Sequence, residues 1–229
     1  MCPFNDSLKH IEINLGIQPN HYNHLFDVEV VHEITSNYYD ANEIDTILKG
    51  NNATVVDAFR EVIKDDIFKW DIHRNKEEFR EVVLNQTKFL AQKGYGALAY
   101  PEAYGGAGDM EGYAHMFENM MFVDGSLTIK FGVQVGLFGG SIQKLGTKKH
   151  HDQYLSDAGD ASLLGCFAMT ETGHGSNVRG VKTTATYNKE TDSIVIHTPG
   201  KNDNKEYIGN ALHSTMASVF AQLIVNGKN

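Results

Sequence analysis

Cysteine is nearly missing from this sequence: Cys2 and Cys166 are the only two in 229 residues. A disulfide framework is excluded, and Cys166, lying in an apolar run, is expected to be a buried free thiol. No stretch of 18 apolar residues occurs, so no membrane span is expected. The N-terminus has no basic start followed by an apolar core, so no secretory signal is read there. Positive charge is also short. Twenty Lys and Arg stand against 29 Asp and Glu, a net charge of −9, and no basic block appears. A nucleic-acid partner is therefore not expected. Internal repeats and low-complexity stretches are absent. Histidine is plentiful, with eleven residues, but the pattern lacks metal-ligand spacing. His150 and His151 are adjacent and diverge by roughly 100° on a helix. His21 and His24 have helical spacing, but in a polar segment with Pro19. No metal is expected. A reducing, cytosol-like compartment fits these features.

What is present is ordinary globular composition, 41% hydrophobic and 21% charged, enough for one large or two small domains. Residues 1–40 read as a leader, with a possible amphipathic helix over Asn23–Ser36. Ala41–Lys49 is a helix with Gly50 as its stop. Ala53–Asp66 follows, with Val55, Val56, Phe59, Val62 and Ile63 on one stripe. Asn75–Lys93 is the clearest helix: Asn75 is a good N-cap, Glu78 lies three residues on, and Gly94 is the stop. Its stripe Phe79, Val82, Val83, Gln86, Phe89 and Leu90 reads as core. Asp109–Val123 is a helix rich in methionine. Ser126–Gly136 continues helical, Gly139 and Gly140 permit a bend or close approach, and Thr147 caps Lys148–Asp157. Lys144, Lys148 and Lys149 read as a solvated face, with a site for an anionic nucleotide tail as the alternative.

After Gly159 the pattern changes. Leu163–Met169, Val181–Tyr187, Ser193–Thr198 and Ala217–Val225 are strand-like, with a turn signal at Asn188–Asp192. The fold class expected is α+β: an all-α domain over 41–162, then an antiparallel β layer over 163–229. At the junction stands CFAMTETGHGSNV, Cys166 to Val178. A short apolar strand here releases hydroxyls, a carboxylate and a glycine-containing loop at one end, where the backbone can approach a planar polar ligand closely. The bland alternative is an ordinary strand and turn.

CFAMTETGHGSNVRG closely resembles the flavin-facing segment of the acyl-CoA oxidase and acyl-CoA dehydrogenase superfamily. GYGALAYPEAYGGAG (Gly94–Gly108), FGVQVGLFGGSIQKLGTKKHHDQYL (Phe131–Leu155), VKTTATYNKETDSIVIHTPG (Val181–Gly200) and KEYIGNA (Lys205–Ala211) follow the family in its own order. The resemblance runs from about Ile47 to the end. It implies the family's helical N-terminal domain and an incomplete middle, barrel-like β domain. It also implies that the chain is the N-terminal part of a longer protein, with a C-terminal helical domain beyond it.

Carried over, the resemblance makes FAD the cofactor. Phe167, Ala168 and Met169 would back the flavin ring, and Thr170 would bond its edge. Tyr207 would stack where most members have tryptophan. Gly209 stands where dehydrogenases usually have a threonine that bonds flavin N5. Ser176 would lie near the flavin and the pantetheine arm of an acyl-CoA substrate. The methionines of Asp109–Val123 are core filler on this reading, with an acyl-chain wall as the alternative. No catalytic base is assigned, because the family's base belongs to the C-terminal domain. IHTPGKNDNKEYIGNA favours the oxidase branch, which passes electrons to O2, over dehydrogenases, which use an electron-transfer flavoprotein. A homo-oligomer is implied, and a peroxisomal location if the source is eukaryotic. The alternative from another class is a catalytically silent fragment or interaction module on the same scaffold.

Overall fold

The computed structural model describes residues 40–69 and 75–228. The expected helix Asn23–Ser36 lies outside these residues. The chain divides into two units, one ending at Ala53 and one beginning at Thr54. In the first, α1 (Ala41–Lys49) starts where Asp40 accepts from the backbone N–H of Asn42 and Glu43, and it stops at Gly50. Lys49 pairs with Asp45 one turn back.

The second unit takes in α2 (Ala53–Val62) from Thr54 on, and this helix buries Val56 and Phe59. The expected helix to Asp66 is shorter, because the chain turns through residues 63–65 and Asp65 caps a short new turn. In α3 (Lys76–Leu90) the Asn75 side chain accepts from Glu78 N at 2.9 Å, and Val83, Leu84 and Leu90 are buried. Gly94 ends the helical path with φ 94°, a backbone that other residues rarely adopt. Asp109 caps α4 (Met110–Met120), and Asp124 caps α5 (Gly125–Phe131). Met116 and Met120 are fully buried in the core, whereas Met110 and Met121 are exposed.

Past α5 the helix widens into π-type turns over Gly132–Gly139 and tightens again in α6 (Gly140–Leu145). This stretch presents Gln134 and Gly139 inward. Gln134 is fully buried; its Nε2 donates to Ala158 O at 3.0 Å and Leu163 O at 2.9 Å. Its Oε1 accepts from Gly165 N at 3.0 Å. In the widened turn Val135 O accepts from Gly140 N and, through its second lone pair, from the Tyr100 hydroxyl at 2.8 Å. A Cβ on Gly139 would sit 1.8 Å from that hydroxyl, so only glycine fits. Thr147 and His150 form a reciprocal cap on α7 (Lys148–His150), and a second widened turn leads to α8 (Ser156–Gly159). Lys148 pairs with Asp152 at 2.6 Å, while Lys144 and Lys149 are exposed.

Five short strands follow: β1 (Gly165–Ala168), β2 (Thr184–Asn188), β3 (Ser193–His197), β4 (Met216–Val219) and β5 (Gln222–Ile224). The helical stretch followed by a small sheet layer is the expected α+β fold. The pairing corrects one detail, for the layer is not purely antiparallel. β2 and β3 form the expected antiparallel hairpin, but β1–β4 and β2–β5 are parallel. Long connections bring the chain back in the same direction, which parallel pairing requires. Ala217–Val225 is also not one strand. Phe220 N donates to Ala168 O at 3.1 Å and Gln222 N to Thr183 O at 2.8 Å, so the two halves serve different sheets.

Replacing Gln134 by leucine keeps most of the volume but deprives one buried carbonyl, one half-buried carbonyl and one buried N–H of this partner. Gln134→Leu is expected to destabilise by roughly 3 kcal/mol or more. Urea unfolding measures this, and a change below about 1 kcal/mol would contradict the assignment of these bonds.

Candidate functional site

β1 leaves the helical layer at Gly165 and delivers its far end to a polar loop. Phe167 is half-buried and its ring lies 4.6 Å, centroid to centroid, from Phe220. Ala168 is buried, and Met169 and Thr170 are half-buried. The next residue, Glu171, turns inward and is only 1% exposed. Its Oε2 accepts from Lys182 N at 2.7 Å, and its Oε1 accepts from Thr183 N at 2.9 Å and the Thr183 hydroxyl at 2.6 Å. Lys205 Nζ lies 3.1 Å from Oε1 and donates to Met169 O at 2.8 Å. Burial alone would push this carboxyl's pKa up. The Thr183 hydroxyl, the two backbone N–H groups and Lys205 outweigh it and hold the pKa down at about 2.

The segment 205–210 is fixed along β1 at both ends. Lys205 holds the strand's exit through Met169 O. Asn210 Nδ2 donates to Gly165 O at 3.3 Å and to Lys130 O at 3.4 Å, at the strand's entry and on α5. Tyr207 lies between these anchors, with a left-handed backbone (φ 58°) and 88% of its surface exposed. Gly209 packs close to the helix: a Cβ there would come 2.9 Å from Val133. Ser176 is exposed in the loop beyond Glu171; that loop is pinned instead by Thr172 N and Gly173 N donating to Asn204 O and Asn202 O.

A cavity of about 600 Å³ opens beside this segment, lined on the helical side by Phe79, Val83, Ile129 and Val133 and on the loop side by Ile208–His213. A second, of about 410 Å³, lies between α6 and β4. Neither has Thr170, Ser176 or Tyr207 in its walls. Among the described residues one trio, Glu171, His174 and Asp203, brings potential metal-ligating atoms within 4.8 Å. The Glu171 oxygens already accept from N–H and O–H donors of Lys182, Thr183 and Lys205, so Glu171 itself is a hydrogen-bonded anchor. Sequence reasoning missed Thr183 and Lys205 as partners of Glu171. KEYIGNA pointed at the right segment, but nothing local says that its lysine reaches back 34 residues.

Residues 51–161 match the family model described as Acyl-CoA dehydrogenase, N-terminal domain. Peroxisomal acyl-coenzyme A oxidase 2 of Arabidopsis thaliana is 45% identical over 155 residues, 67% of this chain and 22% of that protein. Peroxisomal acyl-coenzyme A oxidase 3 of the same plant is 34% identical over 215 residues, 86% of this chain and 31% of that protein. This chain belongs to the acyl-CoA oxidase and dehydrogenase superfamily. The crystal structure of acyl-CoA oxidase 3 from Yarrowia lipolytica superimposes with a TM-score of 0.65 at 34% identity, covering 78% of this chain and 25% of that one. Glutaryl-CoA dehydrogenase from Mycobacterium smegmatis gives a TM-score of 0.66 at 23% identity, over 79% of this chain and 45% of that one, a likeness of fold alone. The superfamily member described here thus lies on the oxidase side, and it spans less than a third of the length of the oxidases it matches.

The depressed pKa of Glu171 makes its contribution depend on pH. A carboxylate held below its ordinary value of 4.5 stabilises the fold above that value and loses the effect as pH falls towards about 2. Stability should therefore decline between pH 4.5 and 2. Glu171→Gln should cost roughly 3 kcal/mol at neutral pH, with the difference from the unaltered chain shrinking as acid is added. Denaturant titrations at several pH values measure both. A pH-independent difference would contradict a charged Glu171.

Proposed function

We propose that this chain is part of an FAD-dependent acyl-CoA oxidase. Such an enzyme converts a saturated acyl-CoA to the trans-2-enoyl-CoA, with O2 as electron acceptor and hydrogen peroxide as product. The identity to two oxidases carries the reading. The site supports it in one respect. A planar ring system needs an apolar surface to lie on, and Tyr207, exposed and held between two anchors on β1, offers one. Phe167, Ala168, Met169 and Thr170 at the strand's end would back and edge the flavin. Gly209 would leave room near it, and Ser176 would serve the acyl-CoA arm. The FAD, when bound, supplies the hydride-accepting chemistry. This chain's residues bind and orient it, and none is assigned to removing the α proton.

The same proposal divides the chain into helical residues 41–162 and β residues 163–229. It places the whole protein as a homo-oligomer in the peroxisome where the source is eukaryotic, as two relatives named peroxisomal suggest. Among the described residues no helix is long and apolar enough to cross a membrane.

The test adds FAD and dodecanoyl-CoA to the purified chain and follows flavin fluorescence, peroxide and enoyl-CoA. Flavin should bind, and Tyr207→Ala should weaken it severalfold, because stacked aromatic contact is worth about 1 kcal/mol. Multiple turnover should be absent, since general-base assistance, typically about 10²- to 10⁴-fold, is missing. Turnover by these residues alone would place the base among them and overturn the assignment. Flavin binding unaffected by Tyr207→Ala would overturn the role of Tyr207.

A further inference from the structure

The larger cavity combines two properties that pull against each other. Its walls are apolar, from Phe79, Val83, Ile129, Val133, Ile208 and Leu212, and its volume of about 600 Å³ falls within the range of small-molecule sites. Yet Lys76, Arg80 and Lys130 also line it. Lys76 is exposed, but Lys130 is half-buried on α5. Burial drives its pKa down, Glu81 works against that, and Lys88 adds to it; the net direction is downward.

The surroundings hold this ammonium in place without neutralising it at contact. Lys130 Nζ donates to Asn210 Oδ1 at 3.1 Å and lies 2.9 Å from His213 Nδ1. On the far side of that imidazole, Nε2 lies 3.0 Å from Glu81 Oε1. The arrangement assigns the imidazole proton to Nε2, facing the carboxylate, and leaves Nδ1 to accept from the lysine. The carboxylate is thus one ring removed from the cation. An ammonium has three donors, and two are engaged. An oriented cation, partly desolvated and with one donor still to place, beside an apolar wall, fits an anion carried on an apolar chain.

We propose that this cavity takes a straight apolar chain ending in a carboxylate, with Lys130 pairing the carboxylate and the apolar walls holding the methylenes. Applied to the oxidase reading, on which this step rests, it names a substrate class: acyl-CoAs with a second carboxylate at the far end of the chain. Binding of a free carboxylate does not depend on that reading.

The experiment titrates the purified chain calorimetrically with decanoate and with 1-decanol, which share a chain and differ in the charged end. Decanoate should bind at least tenfold more tightly. Lys130→Met should reduce decanoate to the level of decanol and leave decanol unchanged, whereas Lys130→Arg should keep the preference. Ile129→Trp, at an exposed wall position, should weaken both ligands. Equal affinities in the unaltered chain, failure of both to bind, or a preference that survives Lys130→Met would overturn the proposal. FAD titration of the same samples reports on the oxidase reading separately, so either can fail alone.

Discussion

The buried amide of Gln134 is the contact on which the rest depends. It sits in the widened turns between α5 and α6 and reaches three backbone groups on two later pieces of chain: Ala158 O, Leu163 O and Gly165 N. Ala158 O and Gly165 N would otherwise be buried polar groups, and Leu163 O a half-buried one, where helix gives way to strand. An amide suits the place because it offers donors and an acceptor at once, whereas a carboxylate or an ammonium offers one kind only. In the same widened turns Val135 O takes two donors, Gly140 N and the Tyr100 hydroxyl. Local departure from α-helical geometry is therefore what lets the helical layer hold the first strand.

Once β1 is placed, the site follows from two clamps on it. Asn210 fixes the entry of the strand and Lys205 its exit. Lys205 also meets Glu171, which gathers Lys182 and Thr183. Two different strand systems are tied through one carboxylate. Burying that charge opposes the fold, and four donors reverse the balance. The clamps consume the polar groups at the ends of segment 205–210 and leave its middle, with Tyr207, facing outward. Rigid ends and an open centre are a reasonable way to present a flat surface to a ligand.

Legibility in the sequence follows the range of each interaction. Helix ends were readable because their causes are local: Asn75 caps Glu78 N three residues away, and Gly94 has the backbone freedom to stop α3. The hairpin around Asn188–Asp192 was readable for the same reason. The parallel pairing of β1 with β4 was not, since it joins residues about fifty apart and leaves no periodic trace. Nor was the break at Phe220–Ala221, where alternation continues while the pairing partner changes. The candidate flavin residues were reached through family resemblance, because a strand end with Phe167, Met169 and Thr170 has no intrinsic signature. Glu171 was visible only as a polar residue after a strand. Its role depends on Thr183 and Lys205, which only the fold brings to it.

Charge distribution links the cavity to the chemistry proposed for the chain. The sequence carries a net charge of −9, so its average field repels an anionic thioester. Association must then rely on local positive potential. Lys76, Arg80 and Lys130 supply it on one face, and Lys88 is near enough to act on Lys130. Exposed cations such as Lys76 act mainly at a distance and are screened within about 10 Å at ordinary salt. Lys130 is different, because its partial burial preserves its field at contact range. The long-range and short-range parts of anion recognition are thereby divided between the rim of the cavity and its wall. Glu81 lies behind His213, where it orients the ring without competing for the face that a ligand would meet.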